Sequence, residues 1–487
     1  MSHNEKLLSE FAHDGNNNDD DGRNKRPRCF LCFQQSYVLT MYCFVSAIQA
    51  LCWMTYISCD PWIAYDYLGL NANGSQGSFS NSTKEYIATW ILNEGPIGYM
   101  LTVFTVPVVM LHKDGLRYCM LLAGILPLLA AIIRMIPTFI SPDVAGRAPY
   151  LWIVFVAQAL NAVAAPFTQS LPSQLSQTWF GVSWRAFATS VGRVSNAGGR
   201  AIGYAIGPPM VNAEGNMDSL MWLEFGLAAI IFVAVLVYFP SAPSTAPTRS
   251  AQAFRESVTD EEDSQQTEGK RNRICSELSL VVCSKSRTIL LLFAFGIQMG
   301  AYGAWSGVLI PALTDAGMGT QEASNIGTYN TVAGVVGGVA IGVVVVAKQV
   351  AVRLKLLLIV LSLAGAATFA LVTIALPPVL VIDNMSQTMI VFLCTLGGLF
   401  RGMLDPLFFE FATEISYPAP AAVVGGILTV WTHVVMVIVL SLPATIVNAI
   451  AMYLMPASLV ITAILVALVK GRYHRLAYDE QAKAVEE

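Results

Sequence analysis

The sequence is poor in charge. Of its 487 residues, 12% are Asp, Glu, Lys or Arg and 55% are hydrophobic, whereas water-soluble domains usually carry about 25% charged residues. This composition excludes a water-soluble globular fold. The 28 Lys and Arg residues nearly balance the 32 Asp and Glu residues, so the chain also lacks the basic surplus with which nucleic-acid-binding proteins hold phosphates.

Residues for catalysis and metal binding are also scarce. The five histidines and nine cysteines are scattered, and the chain contains no H-E-x-x-H, Gly-x-Ser-x-Gly or Walker sequence, which are the motifs of zinc hydrolysis, acyl transfer and ATP binding. Cys29 and Cys32 form a close pair, but no second Cys or His pair at zinc-ligand spacing accompanies them. We therefore predict no enzymatic activity, metal site, cofactor or disulfide framework.

What the chain has in abundance is apolar segments of membrane-spanning length. A transmembrane helix needs about 20 apolar residues, and six such segments lie on each side of a polar stretch. The sequence therefore predicts an all-α polytopic membrane protein with twelve transmembrane helices in two six-helix halves. The segments, numbered 1 to 12 in chain order, are 37–59, 87–111, 118–140, 150–171, 186–211, 220–239, 288–313, 326–347, 354–376, 388–411, 421–443 and 447–469.

Polar stretches set the remaining boundaries. Residues 1–35 are rich in Asn, Asp and basic residues, which predicts a disordered tail. The halves are predicted at 36–239 and 288–470, and the polar, proline-containing stretch 240–287 between them is predicted as a flexible linker. Residues 471–487 form a second tail.

Two independent patterns give the orientation. With the amino terminus placed inside, the inner loops and tails, together with Lys355 at the inner end of segment 9, carry 22 Lys and Arg residues against 2 on the outer side, as the positive-inside rule requires. The three N-x-S/T sequons, at Asn73, Asn81 and Asn384, all fall in outer loops, where glycosylation is possible. We therefore predict cytosolic termini and a location in the plasma membrane or in a lysosomal or endosomal membrane.

Segments 1 and 7 carry matching polar and aromatic residues at the spacing i, i+4, i+7, which places each trio on one helix face. The trios are Gln49, Trp53 and Tyr56 in segment 1 and Gln298, Tyr302 and Trp305 in segment 7. Two parallel repeats with a substrate site between them are the arrangement of major facilitators. The match therefore predicts a monomeric facilitator whose cavity is lined by both trios.

Charged side chains inside apolar segments are costly in lipid and are candidates for function. Arg193 and Arg200 share a face of segment 5. They indicate either an anionic substrate or buried carboxylate partners such as Glu94. Arg401 and Asp405 are four residues apart in segment 10, so local neutralisation of one by the other is expected.

Other residues are candidates for gating and coupling. Asp114 and Arg117 lie in a tight turn between segments 2 and 3, and Glu410 and Glu414 lie at the inner end of segment 10; both groups are predicted to belong to the cytosolic gate. His433 lies deep in segment 11, where it could carry a coupled proton or remain neutral in a hydrogen bond to another helix.

A stripe of glycines marks segment 8. Gly334, Gly338 and Gly342 are each four residues apart. Small residues at this spacing let another helix backbone approach closely. The stripe predicts tight helix packing and carries no chemistry of its own.

Several short strings of the sequence are informative when they are taken together. They are Gly95-Pro-Ile-Gly98, Asp114-Gly-Leu-Arg117, Arg134 with Ile136-Pro137, Thr178-Trp-Phe180 with Arg185 and Ala188-Thr189, Gly207-Pro208, Trp305-Ser-Gly-Val-Leu309, and Pro406-Leu-Phe-Phe-Glu410 with Glu414 and Tyr417-Pro418. Together they resemble the feline leukaemia virus subgroup C receptor family of facilitators, most closely its disrupted-in-renal-carcinoma branch. The resemblance covers nearly the whole membrane part and implies a facilitator fold that carries a small organic metabolite.

Members of that family are linked to haem, to choline and ethanolamine, and to pyridoxine. By resemblance, Trp53 corresponds to one wall of the aromatic cage that holds choline through cation–π attraction, and Gln158 matches the family glutamine of segment 4. By the same resemblance, the tyrosine of the opposite wall aligns with Gly303, which is next to Tyr302, and the family glutamine of segment 11 aligns with His433. The cage is thus incomplete, which favours another solute.

These observations predict a carrier that moves a small organic metabolite by alternating access, with haem or a related organic anion placed before choline, ethanolamine and pyridoxine. A non-transporting membrane receptor is the remaining alternative. The residues predicted to bind substrate are Trp53, Gln158, Gln298, Tyr302, Trp305, His433, Arg193 and Arg200.

Overall fold

The computed structural model shows a bundle of long helices. The helices are α1 (Arg28–Ser58), α2 (Asn81–Thr102), α3 (Thr105–Met110), α4 (Gly115–Met135), α5 (Leu151–Gln169), α6 (Pro172–Trp179), α7 (Val182–Met210), α8 (Asp218–Val237), α9 (Arg249–Ser264), α10 (Lys285–Asp315), α11 (Thr320–Val345), α12 (Leu354–Ala375), α13 (Gln387–Ser416), α14 (Ala421–Leu440), α15 (Ala444–Leu468) and α16 (His474–Glu486). The structure describes residues 28–58, 81–139, 151–210, 218–264, 285–315, 317–347, 352–376, 386–442, 444–469 and 473–486.

Within these described ranges, ten helical spans are long and apolar enough to cross a membrane. Helices α2, with 22 residues, and α7, with 29 residues, are also long enough for a crossing. Both carry polar or charged side chains such as Glu94, Arg193 and Arg200 inside their length, which lowers their hydropathy. Twelve crossings therefore remain a prediction, while a helical, multi-pass membrane fold is confirmed.

The two predicted halves show the same internal packing. In the first half α1 packs against α7, α5 against both α2 and α4, and α4 against α8. In the second half α10 packs against α14, α13 against both α11 and α12, and α12 against α15. Each contact thus recurs with every helix replaced by its counterpart. The contacts between the halves, α7 with α11 and α2 with α14, are related in the same way, so the structure has the twofold pseudosymmetry that the repeat predicted.

The polar stretch after the first half contains a helix that the sequence did not predict. Helix α9 packs against α6 and against the tail helix α16. Its apolar positions Ala251, Phe254 and Val258 are spaced three and four residues apart, and Ala251 and Val258 are buried. Composition predicted a flexible stretch here. Residues 249–264 instead form a helix, because its narrow apolar face packs against neighbouring helices.

The glycine stripe lies where helices approach most closely, as predicted. Gly334 of α11 faces the backbone of Gly398 and Gly402 on α13, and Gly338 faces Val194 on α7 as well as Gly402. Gly337 lies directly against the backbone of Leu399. The α11 glycines therefore let α11 pack closely against α13 within the second half and against α7 of the first half.

Replacement of Gly337 by alanine is expected to lower the free energy of unfolding by about 1–3 kcal/mol, because its new Cβ would overlap the α13 backbone at Leu399. Gly327→Ala on the same helix is the matched control, since no described atom lies within 4 Å of its Cβ position. That control should be neutral or stabilising by about 1 kcal/mol from helix propensity. Melting temperatures of the purified variants check the pair, and equal shifts would contradict the packing argument.

Candidate substrate site and gate

The halves meet at the end of the bundle that carries α9 and α16, called the linker end below. Arg193 of α7 donates from Nε and Nη2 to the two carboxylate oxygens of Asp405 on α13, at 2.9 and 3.1 Å. It also donates from Nη1 to the Gln169 carbonyl at 2.9 Å and lies 4.1 Å from the centre of the Phe409 ring. This two-pronged ion pair joins the halves in a buried environment, where such geometry is strongest.

A second contact joins α2 to α14. The Tyr99 hydroxyl shares a 2.8 Å hydrogen bond with Ser170 Oγ and donates a longer one, 3.5 Å, to the Gly426 carbonyl. The Tyr99 ring lies 4.3 Å from the His433 ring, centre to centre. The five residues Arg193, Asp405, Tyr99, Ser170 and Gly426 are called the closed layer below, because their bonds join the two halves at the linker end.

His433, whose ring is next to that of Tyr99, has a buried side chain. Neither ring nitrogen has a hydrogen-bond partner among the residues that the structure describes. The ring also interacts electrostatically with Arg193 and Arg200. The interhelical hydrogen bond considered for this residue is therefore not present, and the ring fills the junction of the halves through contact with Tyr99.

Arg401 does not pair with Asp405, contrary to the expectation from their spacing. Asp405 is turned towards Arg193, and Arg401 instead lies 4.0 Å from the centre of the Tyr302 ring. Its Nη2 donates to Met299 Sδ at 3.0 Å. Its buried Nε has no partner in the described part of the chain. The four-residue spacing allowed an ion pair between Arg401 and Asp405. The packing of α13 against α7 instead brings the Asp405 carboxylate to Arg193 of the other half.

Tyr302 anchors an aromatic stack under this guanidinium. Its hydroxyl donates to Asn330 Oδ1 at 2.8 Å, and Asn330 in turn donates to the Cys394 carbonyl at 2.7 Å. The rings of Tyr302 and Trp305 are 6.0 Å apart at 25°, and Trp305 meets Phe369 edge-on. Tyr302 is thus held rigidly, while Trp305 is buried in the second half as its support.

Arg200 completes this side of the site. It is half-buried and interacts electrostatically with Arg401, Tyr302 and Asp405. Since Asp405 is already bonded to Arg193, Arg200 and Arg401 share no carboxylate of their own among the described residues. Arg200 thus interacts electrostatically with Tyr302 and with Arg401, which sequence reasoning had assigned to a local ion pair.

The first half contains a separate buried ion pair. Arg134 of α4 donates to Glu224 Oε2 on α8 at 2.9 Å and to Gln158 Oε1 on α5 at 2.8 Å. Gln158 then donates to the main-chain carbonyl of Trp53 at 3.3 Å. Gln158 therefore positions α1 and Arg134 through hydrogen bonds within the half. Its role in binding substrate stays a prediction.

Trp53 is half-buried and lies against the α2 backbone at Gly95. Next to it in α2, Glu94 is half-buried too. Within the described ranges, Trp53 Nε1 and Glu94 Oε2 are buried atoms without a hydrogen-bond partner. The Glu94 carboxyl is not a partner of Arg193, which bonds to Asp405; the charged group it interacts with is Arg134.

The polar members of the two trios differ in role. Gln49 donates to the Asn161 carbonyl at 3.3 Å and accepts from Asn196 Nδ2 at 3.2 Å, so it joins α1 to α5 and α7. Gln298 is fully buried in α10 and donates weakly to Met299 Sδ. Tyr56 lies in α1, and its side chain is outside the described set. Among the described members, Gln49 and Gln298 are thus both buried but make different bonds, and the lining of a cavity by the two trios stays a prediction.

The predicted gate carboxylates bind the tail helix. Arg475 of α16 donates from Nε to Glu414 Oε1 at 2.7 Å and from Nη2 to Glu410 Oε2 at 2.8 Å. Glu410 also accepts from Thr189 of α7, in the other half. Burial alone would lower the pKa of Arg475, but the two carboxylates raise it above its ordinary value. Glu410, Glu414 and Arg475 are called the tail clamp below.

A neighbouring pair ties the linker to the same place. Arg185 at the start of α7 donates to Asp479 of α16 at 2.9 Å, and the Ser250 amide at the start of α9 donates to the other Asp479 oxygen at 2.9 Å. Sequence reasoning missed Arg475 and Asp479 because both lie in a polar tail. Their spacing of four residues on one helix face was the signal available.

The remaining predicted residues lie apart from this network. Asp114, just before α4, accepts from Ser241 at 3.1 Å, and Arg117 is half-buried in the first turn of α4. Asn81 is the first residue of α2. Asn73 and Asn384 lie outside the described residues. The structure therefore brings Glu410 of the predicted gate into contact with α7 and Glu414 into contact with α16, and it ties Asp114 to the linker.

Comparison with known proteins agrees with this geometry. The sequence model described as Major Facilitator Superfamily matches residues 42–440. A variant of the fucose:proton symporter of E. coli shares the fold with a TM-score of 0.59 at 13% identity, covering 90% of this chain and 97% of that one. The fold and the paired halves thus define a facilitator-type membrane transporter, a class of carriers and not of enzymes.

Two curated relatives narrow the class. The solute carrier family 49 member 4 homolog of Xenopus tropicalis is 27% identical over 438 residues, which cover 86% of each chain. The choline/ethanolamine transporter flvcr2a of Danio rerio is 30% identical over 344 residues, covering 68% of this chain and 67% of that one. The chain therefore belongs to the feline leukaemia virus subgroup C receptor family, solute carrier family 49, within the Major Facilitator Superfamily. It is a multi-pass membrane transporter of small organic solutes, as the sequence predicted.

Proposed function

We propose that this transporter carries a small organic anion, at a site between Trp53 of α1 and Tyr302 of α10. One observation supports the anion above all others. Arg401 lies over the Tyr302 ring, and Arg200 interacts electrostatically with both of these residues and with Asp405, whose carboxylate is already bonded to Arg193. Arg200 and Arg401 are therefore the residues that attract a negatively charged solute, while Arg193 holds the halves together.

Electrostatics favour this assignment. Like charges repel more strongly in the interior of a protein than in water, because the effective dielectric constant is lower there. A carboxylate or phosphate of the solute between Arg200 and Arg401 would relieve that repulsion. The Nε atom of Arg401 has no hydrogen-bond partner among the described residues, so it can donate to such a group. An organic cation in the same position would increase the repulsion. Haem, through its propionates, remains one solute of the favoured class.

The relatives supply the second candidate. The zebrafish relative is named a choline/ethanolamine transporter, and Trp53 offers an aromatic face suited to an ammonium group. A choline or ethanolamine carrier would bind its solute against Trp53, at a distance from Arg401. Substitutions on the two sides therefore distinguish the candidates, because Trp53→Ala should reduce cation uptake and Arg401→Ala should leave it unchanged.

Arg401→Ala is expected to lower uptake of the transported anion by about tenfold to a hundredfold, which corresponds to the loss of a hydrogen bond to a charged group. Arg401→Lys should recover part of it. Uptake of labelled haem, choline and pyridoxine into cells that express each variant checks this, with Arg200→Ala as the second variant. Arg353→Ala, at an exposed arginine, is the control. Unchanged uptake of every solute in both Arg401→Ala and Arg200→Ala would refute the anion proposal.

Transport in this proposal requires the closed layer and the tail clamp to open. The solute enters from the end opposite the linker end, and the halves then rock so that Arg193 and Asp405 separate. Glu410 and Glu414, with Asp114 and Arg117 on the other half, form the gate that reseals afterwards. A single chain suffices, since both halves of the site come from one polypeptide.

The linker end is proposed to face the cytosol, in the plasma membrane or in a lysosomal or endosomal membrane. Sequons at Asn73, Asn81 and Asn384 then face outward or into the lumen. In human cells the expressed protein should lose apparent mass on treatment with a peptide N-glycosidase, and replacement of all three asparagines by glutamine should abolish that shift. A shift that persists in the triple variant would place the glycans, and the orientation, elsewhere.

A further inference from the structure

We propose that the ends of α7, α9 and α13 form a docking surface for a short charged helix, and that its occupant, the tail helix α16, is a removable strap that keeps the linker end closed. The proposed function requires the tail clamp to open, and this inference adds that docking of the tail sets how often it opens. It holds for any solute, because the contacts that carry it lie at the linker end and not at the site beside Tyr302.

Helix α16 is attached by its charges. From Tyr473 to Gln481, the part of the tail whose side-chain exposure is described, the buried side chains are those of Arg475 and Asp479. A helix that belongs to a folded core buries an apolar face, whereas this one buries a cation and an anion. A helix of 13 residues is also only marginally stable alone in water. The tail is therefore held in place by its partners and not by a core of its own.

The cation binds to the second half. Arg475 donates to Glu414 at 2.7 Å and to Glu410 at 2.8 Å. The other Glu414 oxygen, Oε2, accepts from the Leu476 amide at 3.0 Å, so this carboxylate also interacts with the positive end of the helix dipole. The first turn of α16 is thus fixed to α13.

The anion binds to the first half and to the linker. Asp479 accepts from Arg185 of α7 at 2.9 Å and from the Ser250 amide of α9 at 2.9 Å. Ser250 Oγ adds a hydrogen bond of 3.2 Å. Residues four apart share a helix face, so Arg475 and Asp479 form one row that crosses the junction of the halves. Helix α16 therefore connects both halves and the linker.

The docking surface adjoins the closed layer. Thr189 of α7 donates to Glu410 of α13, and these residues are four and five positions from Arg193 and Asp405 on the same helices. At 1.5 Å per residue the two contacts are about 6–8 Å apart along the helices. Separation of α7 from α13 breaks both contacts, so α16 must then release at least one half.

Buried charge makes closure depend on the tail. If α16 left while the linker end stayed closed, Glu410 and Glu414 would lose the described cation that bonds to them. Arg185 would lose its described carboxylate partner. A buried charge without its partner is strongly unfavourable, whereas opening exposes these groups to water. Undocking therefore favours the open state, and by linkage docking favours the closed state.

The test removes the tail after the protein has folded. A protease site is inserted between Val469 and Tyr473 of the full chain, and the purified, cysteine-free protein carries Ser190→Cys, at a buried position of α7. Alkylation of this cysteine by a maleimide measures separation of α7 from α11, which packs on Ser190 at Gly342. The rate is measured before cleavage, after cleavage and removal of the tail, and after addition of a synthetic peptide of residues 473–487.

Cleavage is expected to accelerate alkylation by at least about tenfold, the change that loss of hydrogen bonds to a buried charge predicts. The peptide, at about 1 mM to match the local concentration that a short tether provides, should restore most of the slow rate. A peptide with Asp479→Asn should not restore it. In the uncleaved chain Asp479→Asn should accelerate the reaction, while the exposed control Gln481→Ala leaves it unchanged.

Three results would overturn the inference. An unchanged rate after mass spectrometry shows that the tail is gone would mean that the halves close by themselves, through a direct pair between Arg185 and Glu414, whose charges already interact. Equal effects of the two peptides would exclude recognition of the Asp479 charge. A tail that stays bound after cleavage would be a fixed part of the fold. If the cleaved protein aggregates, Asp479→Asn in the uncleaved chain decides, and an unchanged rate there overturns the inference.

Discussion

Glu224→Gln is expected to lower the free energy of unfolding by about 3–5 kcal/mol, because it leaves the Arg134 guanidinium charged in the middle of the first half. Both side chains of this pair are fully buried, and the bond that joins them is 2.9 Å long. The substitution keeps the shape and removes the charge, so the effect measures the ion pair and not a cavity. Thermal unfolding of the purified protein in detergent, followed by size exclusion, measures the loss.

The double variant Arg134→Met with Glu224→Leu is the informative control. Replacement of a buried ion pair by apolar residues of similar volume is often neutral or stabilising, so stability should recover although two residues have changed. Glu322→Gln, at an exposed carboxylate that accepts from Gln387, should stay within about 0.5 kcal/mol of wild type. A double variant less stable than Glu224→Gln would show that the pair is required for a reason other than its charge.

Asp405→Asn is expected to open the linker end. The substitution leaves Arg193 buried without its ion-pair partner, which costs about 3 kcal/mol or more in the closed state. Such a cost moves a two-state equilibrium by more than about a hundredfold. Uptake should then fall by at least about tenfold, because the state that accepts solute from the opposite end is rarely populated.

Alkylation of an introduced cysteine measures this opening. Ser190 of α7 is buried against Gly342 of α11, at the junction of the halves. In a background without native cysteines, Ser190→Cys should react slowly with a maleimide, and the addition of Asp405→Asn should accelerate the reaction. Addition of Arg193→Met to Asp405→Asn removes the stranded charge, so it should slow the reaction again. Equal rates in all three proteins would mean that the ion pair does not hold the halves.

Residue patterns along single helices predicted much of this protein. The apolar segments gave the helices of both halves, and the spacing of Gly334, Gly338 and Gly342 gave the close approach to α13 and α7. The trios of segments 1 and 7 indicated the repeat that the paired packing of the halves confirms. These inferences succeeded because a helix has a fixed period, so positions on one face follow from spacing alone.

Partners on different helices could not be predicted in the same way. Spacing favoured a pair between Arg401 and Asp405, yet Asp405 bonds to Arg193 of the other half and Arg401 rests on Tyr302. Arg475 lies in a polar tail whose composition gave no reason to bury it, yet it is 1% exposed against Glu410 and Glu414. Both outcomes depend on which faces meet, and that is decided by packing.

The sequence by itself determined that this chain lives in a membrane as two related helical bundles, because apolar length and helical period are properties of a local stretch of chain. The tertiary structure alone decided which charged residues pair between the bundles and which have no ionic partner among the described residues. The physical reason is that a buried charge takes the partner that packing brings within bonding distance, and residues far apart in sequence, such as Arg193 and Asp405, compete on equal terms with near neighbours.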